Sequence, residues 1–262
     1  MAIIRMDHIP ESVKMNLPLN LIVPDPGEMK GVPLAERKVL YLLHGLSDDA
    51  SAWGRFTKIE LYARKYGLVV VMPSVGRSFY TDQANGQHYF TYLVEELPRY
   101  LEEVFGIKPA RENTLIAGLS MGGYGAMKAA LLHPEHYFAA GSFSGLLSLS
   151  IVNFAPADDS MRVEFEYLFG NLEDLPGSSQ DPMTWLRAAA AKHADLSRLY
   201  ASCGRQDDLY PVNLMFRDEC EKLAIPLHFH ETGGGHQWSL WDREIASFLA
   251  FALKSGGNEV DG

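Results

Sequence analysis

Apolar positions along this chain follow two rhythms that take turns. Residues 3–9 and 17–23 alternate apolar with polar, as half-buried strands do, and Pro24-Asp25-Pro26-Gly27 forms a turn after the second. Val39-Leu-Tyr-Leu-Leu43 and Leu68-Val-Val-Val-Met72 are continuous apolar runs, the pattern of strands buried on both faces. Further strands are predicted at 115–117, 138–143, 199–203 and 227–231. Between them the spacing turns helical. Residues 56–66 place Ile59, Leu61, Tyr62 and Tyr66 roughly on one side, and Gly67 stops that helix. Residues 89–105 carry a stripe of Phe90, Leu93, Val94, Leu97, Leu101, Val104 and Phe105, with a bend expected at Pro98. Helices are also predicted at 124–132, 212–223 and 238–253. Residues 146–197 break the rhythm. Two helical pieces, 162–169 and 183–193, flank the loop 175–182, and the segment reads as a cap inserted over one end of the sheet.

This alternation predicts an α/β protein: a mostly parallel central sheet of about eight strands with helices on both faces. Residues 1–262 read as one domain. Active sites of such sheets lie beyond the carboxyl ends of the strands. The loops at 44–53, 74–88, 119–124, 204–210 and 232–238 all fall there.

One of those loops carries a nucleophile pattern. Gly118-Leu119-Ser120-Met121-Gly122 joins a predicted strand to a helix rich in small residues. A G-x-S-x-G in that setting is the nucleophile elbow of the α/β-hydrolase fold. Serine needs a base, and in this fold the acid and then the histidine follow the nucleophile in the chain. Gly204-Arg-Gln-Asp207-Asp208 offers two carboxylates, and Gly233-Gly-Gly-His236 offers the histidine. The oxyanion hole needs the N–H of the residue after the serine, Met121, and one from an earlier loop, where Leu46 in His44-Gly45-Leu46 is the expected donor. Trp53, Tyr80, Tyr124 and Trp185 are candidates for the substrate pocket. His228 and His230 share a strand face but have no third metal ligand at matching spacing, so no metal site is expected.

Composition narrows the partners. The chain of 262 residues is 47% apolar and has a formal net charge of −10, which argues against nucleic acid or an anionic membrane surface. No apolar run approaches the roughly 18–20 residues of a membrane span. The N-terminus shows no signal-peptide core, and Cys203 and Cys220 form no disulfide framework, so a cytoplasmic protein is expected. A homo-oligomer is compatible with all of this.

The combined segments resemble the esterase D family of α/β-hydrolases, which includes S-formylglutathione hydrolases, and in particular its tributyrin-esterase-like branch. The resemblance rests on Leu43-His-Gly-Leu-Ser-Asp-Asp-Ala-Ser-Ala-Trp53, Val71-Met-Pro-Ser-Val-Gly-Arg-Ser-Phe-Tyr80, Glu95-Glu-Leu-Pro98, Gly118-Leu-Ser-Met-Gly-Gly-Tyr-Gly-Ala126, Cys203-Gly-Arg-Gln-Asp207 and Gly235-His-Gln-Trp238. It implies a triad of Ser120, His236 and Asp207, the acid being the first Asp after the Cys-Gly run. It also implies cofactor-free hydrolysis of short acyl esters by a serine carboxylesterase. S-formylglutathione hydrolases carry a different loop where this chain has His44-Gly45-Leu46-Ser47, so the resemblance to them is poorer there, and hydrolysis of S-formylglutathione or another thioester is the alternative expectation. Antigen-85-like mycolyltransferases share the plan but are secreted. A silent hydrolase fold kept as a binding module is the non-enzymatic alternative, and the intact triad set opposes it.

Overall fold

The computed structural model describes residues 1–29, 31–149 and 159–253. Eight strands form one sheet: β1 (Ala2–His8), β2 (Leu17–Val23), β3 (Lys38–Leu43), β4 (Leu68–Pro73), β5 (Thr114–Leu119), β6 (Ala139–Phe143), β7 (Arg198–Gly204) and β8 (Leu227–Thr232). Their spatial order is β1-β2-β4-β3-β5-β6-β7-β8. The pairs β1–β2 and β2–β4 are antiparallel, and every other pair is parallel.

The helices are α1 (Ala52–Phe56), α2 (Ile59–Tyr66), α3 (Tyr89–Thr91), α4 (Leu97–Phe105), α5 (Met121–Leu132), α6 (Asp159–Phe169), α7 (Pro182–Ala191), α8 (Tyr210–Lys222) and α9 (Trp238–Leu253). Alternate residues of β3 feed two cores. Val39, Tyr41 and Leu43 join Leu97, Leu101, Tyr124, Met127 and Phe216 on one face. Leu40 and Leu42 join Trp53, Ile59, Ala63, Ile245 and Phe248 on the other. The continuous apolar run at 39–43 thus has the cause expected of it, burial on both sides.

Local outcomes differ from the periodicity at three places. The helix expected over 56–66 is two helices, because Thr57 is extended (φ −136°, ψ 175°). Its hydroxyl donates to the Trp53 carbonyl and accepts from the Ile59 N–H, closing one helix and starting the next. Leu61, expected to face inward, is 62% exposed, while Ile59 and Ala63 are buried. At 89–105, the bend expected at Pro98 takes the form of a π-helical turn over Tyr92–Glu96, between α3 and α4. Widening the helix just before the proline accommodates a residue that cannot donate and would crowd the carbonyl four residues back.

Helix α5 is buried along nearly its whole length, which explains its small residues. It also carries a buried lysine. Lys128 Nζ donates to Thr81 Oγ1 in the 74–88 loop and to Gln180 Oε1 at 3.0 Å, and it lies 4.6 Å from the Phe90 ring centre. Thr81 Oγ1 also donates to Gln180 Oε1 at 2.9 Å, and Tyr124 OH donates to the Gln180 carbonyl at 2.8 Å. Gln180 therefore ties the segment before α7 to α5 and the 74–88 loop. Of the expected cap segment, residues 150–158 lie outside the described residues.

Candidate active site

The parallel register brings five loops to one edge. Leu43 pairs with Gly118, Leu119 with Phe143, Phe143 with Ser202, and Gly204 with Thr232. The chain leaves β3, β5, β6, β7 and β8 side by side, toward Leu46, Ser120, Ser144, Asp207 and His236.

Ser120 is the turn itself. Strand β5 ends at Leu119 and α5 begins at Met121, so one residue reverses the backbone, at φ 52° and ψ −118°. For a residue with a Cβ that conformation is strained, and it projects the side chain from the turn. The Ser120 N–H donates to the Phe143 carbonyl at 2.9 Å, and the Tyr124 N–H donates to the Ser120 carbonyl at 3.1 Å. Both backbone groups are held by neighbours. Gly122 permits the turn: a Cβ there would overlap the Leu43 carbonyl and lie 2.8 Å from His44 O. As the first helical residue, Met121 has an N–H with no intrahelical acceptor.

The loop after β3 presses against the same point. A Cβ on Gly45 would sit 3.8 Å from Ser120 Cβ. The loop is pinned from below by His44, which is buried. The Val75 N–H donates to His44 Nε2 at 3.0 Å, so the ring proton is on Nδ1 and donates to the Gly45 carbonyl at 2.7 Å. Burial lowers the His44 pKa and keeps the imidazole neutral, as that pattern of bonds requires.

Asp207 and His236 meet across two loops. His236 Nδ1 lies 3.1 Å and 3.0 Å from the two carboxylate oxygens of Asp207. The Leu209 N–H donates to Asp207 Oδ1 at 2.9 Å. The Asp207 side chain is fully buried, whereas that of His236 is 38% exposed. Burial alone would raise the Asp207 pKa. Hydrogen bonds from His236, Ser144 and the Leu209 N–H outweigh it, and the carboxyl stays below its ordinary range. The ionised carboxylate accepts the Nδ1 proton and leaves Nε2 of His236 as the basic nitrogen. The two loops are stapled together. The Arg205 N–H donates to the Thr232 carbonyl at 2.9 Å, the Gln206 N–H to the Gly234 carbonyl at 3.1 Å, and the Gly234 N–H to Gln206 Oε1 at 2.7 Å.

Ser144 escapes the motif reading. It follows β6 at φ 51°, is fully buried, and accepts a hydrogen bond from Trp241 Nε1 at 3.1 Å. Its own proton is then available to the Asp207 carboxylate that it helps to hold ionised. Trp241 also packs edge-on to the His236 ring, with centres 4.9 Å apart. The only hint in the sequence is a serine just past the end of a strand next to the elbow strand.

The four pocket candidates each bond a backbone carbonyl. Trp53 Nε1 donates to the Leu43 carbonyl at 3.0 Å, and Tyr80 OH to the His44 carbonyl at 3.1 Å. Tyr124 OH binds the Gln180 carbonyl, and Trp185 Nε1 donates to the Ser179 carbonyl at 2.8 Å. All four are buried, with the polar atoms of Trp53 and Tyr80 bonded to backbone at the end of β3 and those of Tyr124 and Trp185 bonded to backbone in the segment before α7. Asp208 is not bonded to His236 as Asp207 is. His228 stacks on Tyr200 and Phe251, and His230 pairs with the buried Glu244 at 2.9 Å, which accounts for both without a metal. A cleft of about 330 Å³ opens at the β1–β2 end of the sheet, lined by Arg5, Asn20, Asp49 and Arg55 among others, and includes none of Ser120, Asp207 and His236.

This strand order, with a strained serine between β5 and α5, is the α/β-hydrolase fold, and the protein is a carboxylic ester hydrolase of the serine hydrolase type. The chain belongs to the Esterase family, described as "Putative esterase", whose model matches residues 12–252. An acetyl esterase of Caldicellulosiruptor saccharolyticus is 30% identical to it, over 97% of this chain and 99% of its own. Among solved structures, the substrate-bound fluorophosphonate-binding serine hydrolase FphF of Staphylococcus aureus superposes with a TM-score of 0.88 at 31% identity, covering 97% of this chain and 99% of its own. The S-formylglutathione hydrolase FrmB of Staphylococcus aureus, as the apoenzyme, gives a TM-score of 0.86 at 31% identity over the same shares.

Proposed function

We propose that Ser120, His236 and Asp207 are the catalytic triad of a cofactor-free esterase acting on short-chain acyl esters. The observation that carries this reading is the His236 Nδ1–Asp207 pair at 3.0 Å, held by stapled loops at the strand end that also carries the strained Ser120. Ser120 Oγ attacks the acyl carbonyl while His236 Nε2 takes its proton. The oxyanion forms between the Met121 and Leu46 N–H groups. His236 then returns the proton to the departing alkoxide, leaving an acyl-enzyme. Water activated by the same nitrogen attacks the acyl carbon and frees Ser120. Losing one oxyanion donor costs about 3–4 kcal/mol in comparable sites, so the His44-pinned loop matters to the rate as the triad does. Residues 146–197 act as a cap that shapes the acyl pocket, anchored through Gln180. Two unpaired, buried cysteines suit a reducing compartment, and the cytoplasm is the location we assign.

The test is Ser120→Ala. Hydrolysis of p-nitrophenyl acetate falls to background while the circular dichroism spectrum stays that of the parent; turnover within tenfold of the parent, about 1.4 kcal/mol of barrier, would exclude Ser120 as nucleophile. Thioester hydrolysis is the second reading, favoured by the likeness to FrmB. Comparing kcat/KM for S-formylglutathione with that for p-nitrophenyl acetate decides between them, and the oxygen ester is expected to be the better substrate.

A further inference from the structure

We propose that His133, Glu135 and His136 form a binding site for a divalent transition-metal ion of the zinc type, at the far end of the helix that carries the nucleophile. His133 is the residue that ends α5, and Pro134–His136 is a single 3₁₀ turn following it. His133 Nδ1 lies 3.4 Å from Glu135 Oε1, and His136 Nε2 lies 3.7 Å from the same oxygen. All the ligand atoms of the trio fall within 4.8 Å of one another. Zinc bonds of about 2.0–2.1 Å to N and O donors put tetrahedral neighbours roughly 3.3–3.4 Å apart. The two distances to Glu135 therefore nearly match, and the two nitrogens, which lie within 4.8 Å of each other, close to that spacing on binding.

The turn and the two imidazoles are held before any ion arrives. Proline fixes the first backbone angle of the turn, and the His136 N–H donates to the His133 carbonyl at 3.0 Å. The two imidazoles stack with centres 5.3 Å apart and planes 20° apart. His133 also packs on Phe90, and His136 on Tyr137. The two imidazoles thus have less freedom to lose on binding, whereas Glu135, 63% exposed, is ordered by the ion. The His133 N–H still bonds the Ala129 carbonyl, so the ion would face the negative end of the α5 dipole, where positive charge is favoured. Two imidazoles and one carboxylate select zinc-like ions over magnesium or calcium, which take all-oxygen sets. Solvent fills the remaining positions, since Glu135 is exposed.

Twelve helical residues at about 1.5 Å each put this cluster roughly 18 Å from Ser120. The ion takes no part in ester hydrolysis; it staples the end of α5 to the turn before β6 and so stabilises the fold by binding only the folded chain. The inference stands whether or not the proposed triad is correct.

The experiment is calorimetric titration of the full chain with zinc chloride at pH 7.5 in a non-chelating buffer, together with the melting temperature and p-nitrophenyl acetate turnover. Outer partners of metal ligands alone are worth roughly 10–100-fold in affinity, so His133→Ala and His136→Ala should each weaken zinc at least about tenfold. Glu135→Gln, at a position too exposed to disturb folding, should weaken it less but measurably. Zinc should raise the melting temperature of the parent and not that of His136→Ala, with turnover of all three variants unchanged. Zinc bound equally by the parent, His136→Ala and Glu135→Gln would overturn the proposal, as would no binding to the parent at millimolar zinc.

Discussion

Ser144 shows how much one buried hydroxyl can carry. It sits at φ 51°, where most side chains are strained, between an indole N–H and the Asp207 carboxylate. Its backbone is held as well, since its N–H donates to the Ser202 carbonyl at 2.7 Å. Ser144→Gly keeps the left-handed backbone at no steric cost, whereas Ser144→Ala keeps a Cβ, and neither keeps the hydroxyl. A hydrogen bond to a charged group is worth roughly 1.5–3 kcal/mol, so both variants should lose about tenfold or more in kcat/KM. They should also weaken the low-field proton resonance of His236 Nδ1–H. If Ser144→Gly keeps parental turnover and that resonance, the serine matters only for packing. Sequence reasoning proposes Ser120 and His236 because local patterns mark them, and Asp207 because the family resemblance singles it out. It passes over Ser144 because nothing local distinguishes a serine that turns inward.

At the scale of the element, α5 joins two demands. Its first turn must press against β3 at Gly122, and its third carries Lys128 into the interior. Burial drives the Lys128 pKa down to about 7, opposed by the nearby Asp82 charge. A solvent-exposed lysine titrates near 10.5, so between about pH 7 and 10 the unfolded chain holds a proton that the folded chain has released. Stability attributable to this residue therefore rises with pH across that window. Lys128→Met removes the cost. Urea unfolding at pH 7, 8.5 and 10 should show the variant gaining most at pH 7, with the difference shrinking toward pH 10. A difference that does not change with pH would mean that Lys128 keeps its proton when buried. Hydropathy alone reads Lys128 as a surface position of a helix. Only the Thr81 and Gln180 oxygens, brought from far along the chain, allow it inside. Leu61 is the converse: an apolar residue that the break at Thr57 leaves facing out.

At the scale of the whole molecule, the site depends on the contact between the β7 and β8 loops. A Cβ on Gly204 would overlap the Gly234 carbonyl and come 3.0 Å from Leu240 Cδ1. Gly204→Ala should push the loops apart, separate Asp207 from His236, and lower kcat more than it raises KM. A modest fall in melting temperature should accompany it, because the overlap lies at the edge of the core. A parental kcat in that variant would show that the loops adapt independently. The order of the strands was legible: eight strands, the main helices between them and the elbow follow from hydrophobic runs, from periods of two and 3.6 and from glycines at the turns, whereas the split at Thr57 and the π turn at Tyr92–Glu96 were not. The likeness of the loops to a known family added Asp207 over Asp208.

What the sequence by itself determined was therefore local: which runs are buried on both faces, where the chain must turn, and which residue types stand at the strand ends. Those features follow from hydrophobic period and backbone sterics, which act over a few residues. The tertiary structure decided the rest. It set the pairing of Asp207 with His236, the pinning of the Leu46 loop by His44, Trp53 and Tyr80, the support from Ser144 and the burial of Lys128. Apart from the Trp53–Leu43 bond within one loop, each is a hydrogen bond between residues far apart in the chain that the fold brings together, and its strength comes from burial that no local window of sequence contains.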